Sequence, residues 1–145
     1  MNVGYRVNAP VDPEEFAGIL RRSGLAERRP VDDQECIRGM IENSNLTVTA
    51  WDGVLLVGIA RSVTDFCYCC YLSDLAVDRA YQRRGMGTEL LSRTRKELGP
   101  RCKLILLSAP GAVAYYECLG LERHPQAFVL ARNARLGVGL IPPPV

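Results

Sequence analysis

The run Leu75-Ala76-Val77-Asp78-Arg79-Ala80-Tyr81-Gln82-Arg83-Arg84-Gly85-Met86-Gly87 joins an apolar strand, a basic turn punctuated by glycines and the start of an amphipathic helix. The first N–H groups of a helix lack intrahelical acceptors and point out along the positive end of its dipole. Gly85 and Gly87 remove the side chains that would keep an anion away from those groups, and Arg83 and Arg84 add charge in a geometry suited to phosphate. The pattern predicts a turn that holds a pyrophosphate. Two familiar nucleotide loops are excluded. A Walker loop needs Lys after its last glycine, and Thr88 follows Gly87. A dinucleotide fingerprint needs a third glycine three residues on, where this chain has Leu90.

Gln82-Arg83-Arg84-Gly85-Met86-Gly87 resembles the Gln/Arg-x-x-Gly-x-Gly motif of the GNAT superfamily of acetyl-CoA-dependent N-acetyltransferases. Further along, Ala112-Val113-Ala114-Tyr115-Tyr116-Glu117-Cys118-Leu119-Gly120-Leu121 is similar to that family's second motif, Ala-x-x-x-Tyr-Glu-x-x-Gly-Phe. Gly120 suits the left-handed position after a helix, where a residue without Cβ carries no penalty. The resemblance covers residues 46–131. Two departures stand out: Ala109 where the family often has an Asn that contacts the pantetheine arm, and Leu121 for the usual Phe. The loop is also similar to that of the ribosomal-protein alanine acetyltransferases. Residues 60–66 with Asp74-Leu75-Ala76-Val77 look more like the plastid and cyanobacterial branch, whose members acetylate protein amines and arylalkylamines.

The resemblance implies acetyl-CoA as cosubstrate, an amine as acceptor and no metal. It implies that Gln82, Arg83, Arg84, Gly85, Met86, Gly87 and Thr88 hold the pyrophosphate. The backbone of Leu75, Ala76 and Val77 then lies along the pantetheine and acetyl group, with the Val77 or Leu75 N–H polarising the carbonyl. Tyr116 is expected to protonate the departing thiolate, and Tyr115 to pack in the core. Asp74 is the acidic residue set in the apolar centre of the chain. It is read either as a group that binds or deprotonates the amine, or as the cap of a strand hydrogen bond or an edge. A binding module of the same fold that transfers nothing is the alternative, although Tyr116 would have no use there.

Composition narrows the rest. At 48% apolar and 23% charged over 145 residues, the chain has the core of one folded domain. A net charge of +2, with short Arg pairs set among acidic residues, is too small to argue for a nucleic-acid partner, and none is expected. No apolar run reaches the roughly 18 residues of a membrane span, and the first residues lack a signal-peptide layout, so a cytoplasmic location is expected. The six cysteines are then expected to be reduced. Cys67-Tyr68-Cys69-Cys70 lacks a second ligand pair for zinc and sits in an aromatic, apolar run. It reads as strand, with Cys67 and Cys69 on one face and Cys70 on the other. Tyr68 and Tyr71 line an acceptor pocket or pack in the core. His124 and Glu117 read as a loop residue and a solvated charge.

The elements that must position these groups follow from local chemistry. Residues 4–9 read as a strand. Asp12-Pro13-Glu14-Glu15 offers an N-cap, a Pro at the first helical position and a capping-box Glu, with Phe16, Ile19 and Leu20 on one face and Gly24 as stop. Asp32-Asp33 opens a second helix that ends at Asn43 or Asn45. Strands are expected at 46–51 and 54–63 around an Asp52-Gly53 hairpin, then through the Cys run to Val77. A helix follows the glycine loop. Residues 102–107 read as a strand buried on both faces and 126–132 as a last strand. The order βααβββαβαβ implies an α/β fold: a mixed, mostly antiparallel central sheet of the GNAT type, flanked by helices, with splayed central strands. Residues 1–135 form the domain. The tail 136–145, apolar and then Pro-rich, is either a loose end or the contact of a homodimer.

Overall fold

The computed structural model describes residues 2–137 and 144. It divides into two compact units, Met1–Ala109 and Pro110–Val145. The first holds a five-stranded sheet in sequence order: β1 (Val3–Val7), β2 (Leu46–Asp52), β3 (Leu55–Thr64), β4 (Cys69–Val77) and β5 (Lys103–Leu106). Neighbours are antiparallel from β1 to β4, and β4 and β5 are parallel. This is the expected mixed, mostly antiparallel α/β fold.

The helices form where local chemistry specifies them. In α1 (Pro13–Ser23) the Asp12 carboxylate accepts from the Glu15 N–H at 2.8 Å, and the Glu15 carboxylate accepts from the Asp12 N–H at 3.2 Å. Gly24 stops the helix at φ +88°. Asp33 caps α2 (Gln34–Glu42) by accepting from the Cys36 N–H at 3.0 Å. One sheet face buries Phe16, Ile19, Leu20 and Ile37 of these two helices against Trp51, Leu56, Ile59 and Ala76. Each such side chain is worth about 1.5–3 kcal/mol. The other face packs Met86 and Leu90 of α3 (Met86–Glu97) against Val48, Ala50, Val57, Ala60 and Leu72. Gly58 makes this approach possible. A Cβ there would stand 3.1 Å from both Leu90 and the Met86 sulfur and 3.3 Å from Ala50.

Three expectations are corrected. The strand expected through Cys67 begins only at Cys69. Asp65 turns the chain first, its Oδ1 accepting from the N–H groups of Cys67 (2.9 Å), Tyr68 (2.7 Å) and Cys69 (3.1 Å). Cys67 and Cys69 therefore share no strand face; both are exposed, whereas Cys70 and Cys102 are buried. Tyr68 in the turn and Tyr71 on β4 are 73% and 40% exposed, so neither is a core residue. Second, β5 alternates exposed and half-buried residues instead of being buried on both faces. Third, residues 126–132 form no strand, and Phe128 and Val129 are 93% and 70% exposed. Strand propensity expresses fit to a half-buried pleated surface, which these side chains lack.

In the second unit, α4 (Val113–Cys118) ends as the sequence indicated. Gly120 sits at φ +87°, its N–H bonds to the Glu117 carbonyl at 3.0 Å, and the Leu121 N–H bonds to the Tyr116 carbonyl at 3.1 Å. Those are the two bonds of a Schellman stop.

Candidate active site

The site is built on a break in strand pairing. Cys69 to Leu72 of β4 pair with Lys103 to Leu106 of β5, and the pairing stops there. On its other side β4 stays with β3 to Val77, but the register jumps: Leu72 faces Ser62 while Asp74 faces Arg61, leaving Ser73 as a bulge. A bulge residue re-aims the strand beyond it. Leu72 accordingly packs on the α3 face while Ala76 packs on the α1–α2 face.

Past the bulge the backbone groups alternate in a way that matters. The Asp78 N–H donates to the Val57 carbonyl of β3 at 2.9 Å. Strand N–H groups alternate sides, so those of Leu75 and Val77 point to the edge that β5 has left. The Val77 carbonyl on that edge accepts from Gln82 Nε2 at 2.9 Å.

The glycine loop is fastened at its base. Asp78 accepts from the Ala80 N–H (2.9 Å) and from Arg22 Nε (2.8 Å), and Arg22 Nη2 also donates to the Leu56 carbonyl at 2.5 Å. The Tyr81 hydroxyl donates to Asp52 Oδ2 at 2.5 Å. That bond to a carboxylate pushes the Tyr81 phenol above its usual range, since ionising it would set two negative charges together. Arg83 takes the left-handed φ of +64° and Gly85 caps α3 at φ +79°. Arg83, Arg84, Gly85 and Thr88 are exposed, with the Arg84 guanidinium 5.8 Å from the Tyr81 ring. The Met86 side chain is only 5% exposed in the core, which leaves its backbone for a ligand. The exposed Gln82 commits its side-chain amide to the Val77 carbonyl.

Asp74 faces the other way, toward α1 and α2. Its side chain is fully buried, and both oxygens are taken: Oδ1 accepts from Arg29 Nε at 2.5 Å and Oδ2 from Arg61 Nε. Arg29 also donates to the Ser73 carbonyl at 2.7 Å and Arg61 to the Ser73 hydroxyl at 2.9 Å. Arg61 further binds the Met40 carbonyl (3.1 Å) and the Ser44 hydroxyl (2.9 Å). Two guanidinium groups thus grip the bulge. Sequence reasoning missed both, along with Arg22 and Asp52, because the partners lie far apart along the chain.

In its own unit Tyr116 is half-buried on α4, and its ring meets that of Tyr115 edge-on with centroids 5.2 Å apart. Tyr115 is the more exposed of the two at 37%, contrary to the core position expected. Glu117 is exposed and pairs with Arg123, and the His124 Nδ1 accepts from the Gln126 N–H. The thiols offer no nucleophile in the sheet. Burial pushes the Cys70 thiol up, and partial loss of solvation with the Asp65 charge does the same at Cys69, which disfavours the thiolate at both. Among the described residues no three His, Cys, Asp or Glu side chains group as metal ligands, and no helix is long and apolar enough to cross a membrane.

The fold that carries this arrangement is shared with known proteins. The sequence profile of the acetyltransferase (GNAT) domain matches residues 18–132. An uncharacterised N-acetyltransferase, ycf52-like, from Prochlorococcus marinus is 29% identical over 123 residues, covering 80% of this chain. The match spans 66% of that relative's length. A probable acetyltransferase of unknown function from meticillin-resistant Staphylococcus aureus superposes with a TM-score of 0.74 at 19% identity, over 90% of this chain and 98% of its own. A predicted acetyltransferase from Clostridium acetobutylicum, solved with acetyl-CoA, gives 0.67 at 14% identity over 90% and 96%. The profile match over most of the chain, on the fold these structures share, makes this protein a member of the GNAT acetyltransferase family.

Proposed function

We propose that the protein moves an acetyl group from acetyl-CoA to a primary amine by direct transfer. The observation that carries this reading is the open edge of β4 after Leu72, lying next to the glycine loop at the start of α3. The loop N–H groups with Arg83, Arg84 and Thr88 take the pyrophosphate. The Leu75 and Val77 N–H groups take the pantetheine and the acetyl oxygen. The solved relative with acetyl-CoA supports this choice of ligand.

In the reaction the amine nitrogen bonds to the acetyl carbon, the carbon–sulfur bond breaks, the nitrogen loses a proton and the thiolate gains one. A strand N–H polarises the carbonyl as negative charge grows on its oxygen. Tyr116 is the proposed proton donor to the thiolate. Asp74 changes role. Fully buried, with one oxygen accepting from each guanidinium, its carboxylate holds Arg29 and Arg61 on the bulge and presents no free oxygen to an amine. The amine then loses its proton to solvent.

The commitment of Asp74 also favours the second reading, an acyl-CoA-binding module that transfers nothing, because it removes the carboxylate base. One experiment separates the two. Thermal denaturation is followed with CoA, ATP and NAD, and CoA release is measured with acetyl-CoA over a panel of amines. The enzyme reading expects stabilisation by CoA alone and release with at least one amine. Stabilisation without release leaves the module, and stabilisation by ATP or NAD but not CoA removes both.

A further inference from the structure

The Arg29–Asp74–Arg61 cluster holds two cations and one anion. Arg61 pairs only with Asp74, as does Arg29, so one positive charge has no counter-charge within ion-pair distance among the described residues. The acidic residues nearest Arg29 in the chain are spent or turned outward. Asp32 pairs with Arg21, Asp33 caps α2, and Glu27 is exposed. Arg28 beside it adds another positive charge.

The two guanidinium groups differ in access. Arg61 is 6% exposed, with Asp74, the Met40 carbonyl, Ser44 and Ser73 around it. Arg29 is 21% exposed. Its bonds go to Asp74, the Ser73 carbonyl and the Arg28 carbonyl. A guanidinium has five N–H donors, so two remain to it, at the residue where β4 and β5 part.

Position supplies the direction. Met86 and Leu90 of α3 pack on one face of the sheet, while Asp74, which Arg29 holds, turns to the face that α1 and α2 cover. Acetyl-CoA reaching the open edge from the loop side leaves the Arg29 face to the acceptor. We propose that Arg29 binds a carboxylate on the acceptor, which makes the substrate an amino carboxylate and not a simple alkylamine or polyamine. This rests on the acetyl-transfer reading above. Length follows from strand geometry. The Leu75 and Val77 N–H groups lie about 7–13 Å beyond Ser73 at about 3.3 Å per residue. The amine and the carboxylate are therefore separated by a chain of several bonds, longer than in an α-amino acid.

The test compares matched pairs in the same CoA-release assay: butylamine with 4-aminobutanoate, pentylamine with 5-aminopentanoate and hexylamine with 6-aminohexanoate. Glycine stands at the short end. Calorimetry of 6-aminohexanoate and hexylamine against the CoA-saturated protein gives a readout that needs no turnover. In the wild type, kcat/KM is expected to favour the carboxylate partner at least about tenfold, the gain from one partly desolvated charge-assisted pair. The preference should grow with chain length, and calorimetry should rank the pair the same way. Arg29→Gln should bring the ratio close to one. Arg29→Lys keeps the charge, guards against a folding defect in the first variant, and should retain part of the preference. Equal or better use of alkylamines by the wild type overturns the proposal and leaves the acetyltransferase intact. Release with no amine sinks the transfer reading instead, and tighter binding of hexylamine than of 6-aminohexanoate then overturns the Arg29 site as well.

Discussion

At the scale of single residues, the chemistry rests on groups that ask for separate tests. Tyr116→Phe removes one hydroxyl whose assigned work comes when the thiolate leaves. Turnover should fall by about 10²–10⁴-fold, the usual worth of a positioned acid, with acetyl-CoA affinity nearly unchanged. Tyr115→Phe, on the more exposed neighbour, is the control. A loss below about threefold at Tyr116 would hand the proton to water. Asp74 carries a different expectation. Replacing it with Asn leaves two guanidinium groups facing each other in a buried site, and a broken buried ion pair costs about 3–5 kcal/mol. Urea unfolding measures this directly; a change under about 1 kcal/mol would mean that the cluster does not hold the bulge. Without a carboxylate base, kcat/KM should keep climbing with pH toward the ionisation of the acceptor amine, about 10 for an alkylammonium. A plateau between about pH 5 and 7 would return proton abstraction to a protein carboxylate.

At the scale of elements, the turn ahead of β4 makes the next prediction. Three backbone N–H bonds pull the Asp65 carboxyl from 3.8 down to about 2, the Tyr68 N–H contributing most. A folded-state value below the unfolded one stabilises the fold above the ordinary carboxylate range. That contribution fades as pH falls through about 2. A carbon-13 NMR titration of the side-chain carboxyl should therefore show a midpoint near 2, and one near 3.8 would mean that the three bonds are not made. The same turn shows what the sequence could convey. Helix ends were legible because their determinants are neighbours: Asp12 with Glu15, Asp33 with the Cys36 N–H, Gly120 after α4. Aromatic and thiol propensity from Phe66 to Cys70 pointed to strand, but Asp65 binding its own downstream backbone took residues 66–68 into a turn. The bulge was not legible, since Ser73 has an ordinary strand neighbourhood in sequence. Its grip comes from Arg29 and Arg61, which only the fold brings to it. The two glycine motifs were legible for the opposite reason: each concentrates a loop, its charge and a helix end in a few consecutive residues.

At the scale of the whole molecule, the open question is what meets the apolar surface of the C-terminal third. Phe128, Val129, Leu130 and Leu136 are all more than half exposed, at 93%, 70%, 57% and 76%. The expected contact segment begins at Leu136 and runs into residues 138–143, which lie outside the described residues together with 145. Exposed apolar side chains of this kind favour association, because burying them against a second copy recovers about 25 cal/mol per Å². A closed pair with two-fold symmetry buries the same patch on both chains and leaves none open for further growth. We therefore expect a homodimer whose contact draws on residues 126–141, and expect removal of residues 136–145 to weaken it. Light scattering across a dilution series decides the matter. The full chain should give twice the monomer mass of 16.0 kDa at high concentration. The truncated chain should dissociate at a higher concentration than the full one. An unchanged dissociation profile removes the tail from the contact, and a full-length chain that stays at monomer mass throughout removes the dimer.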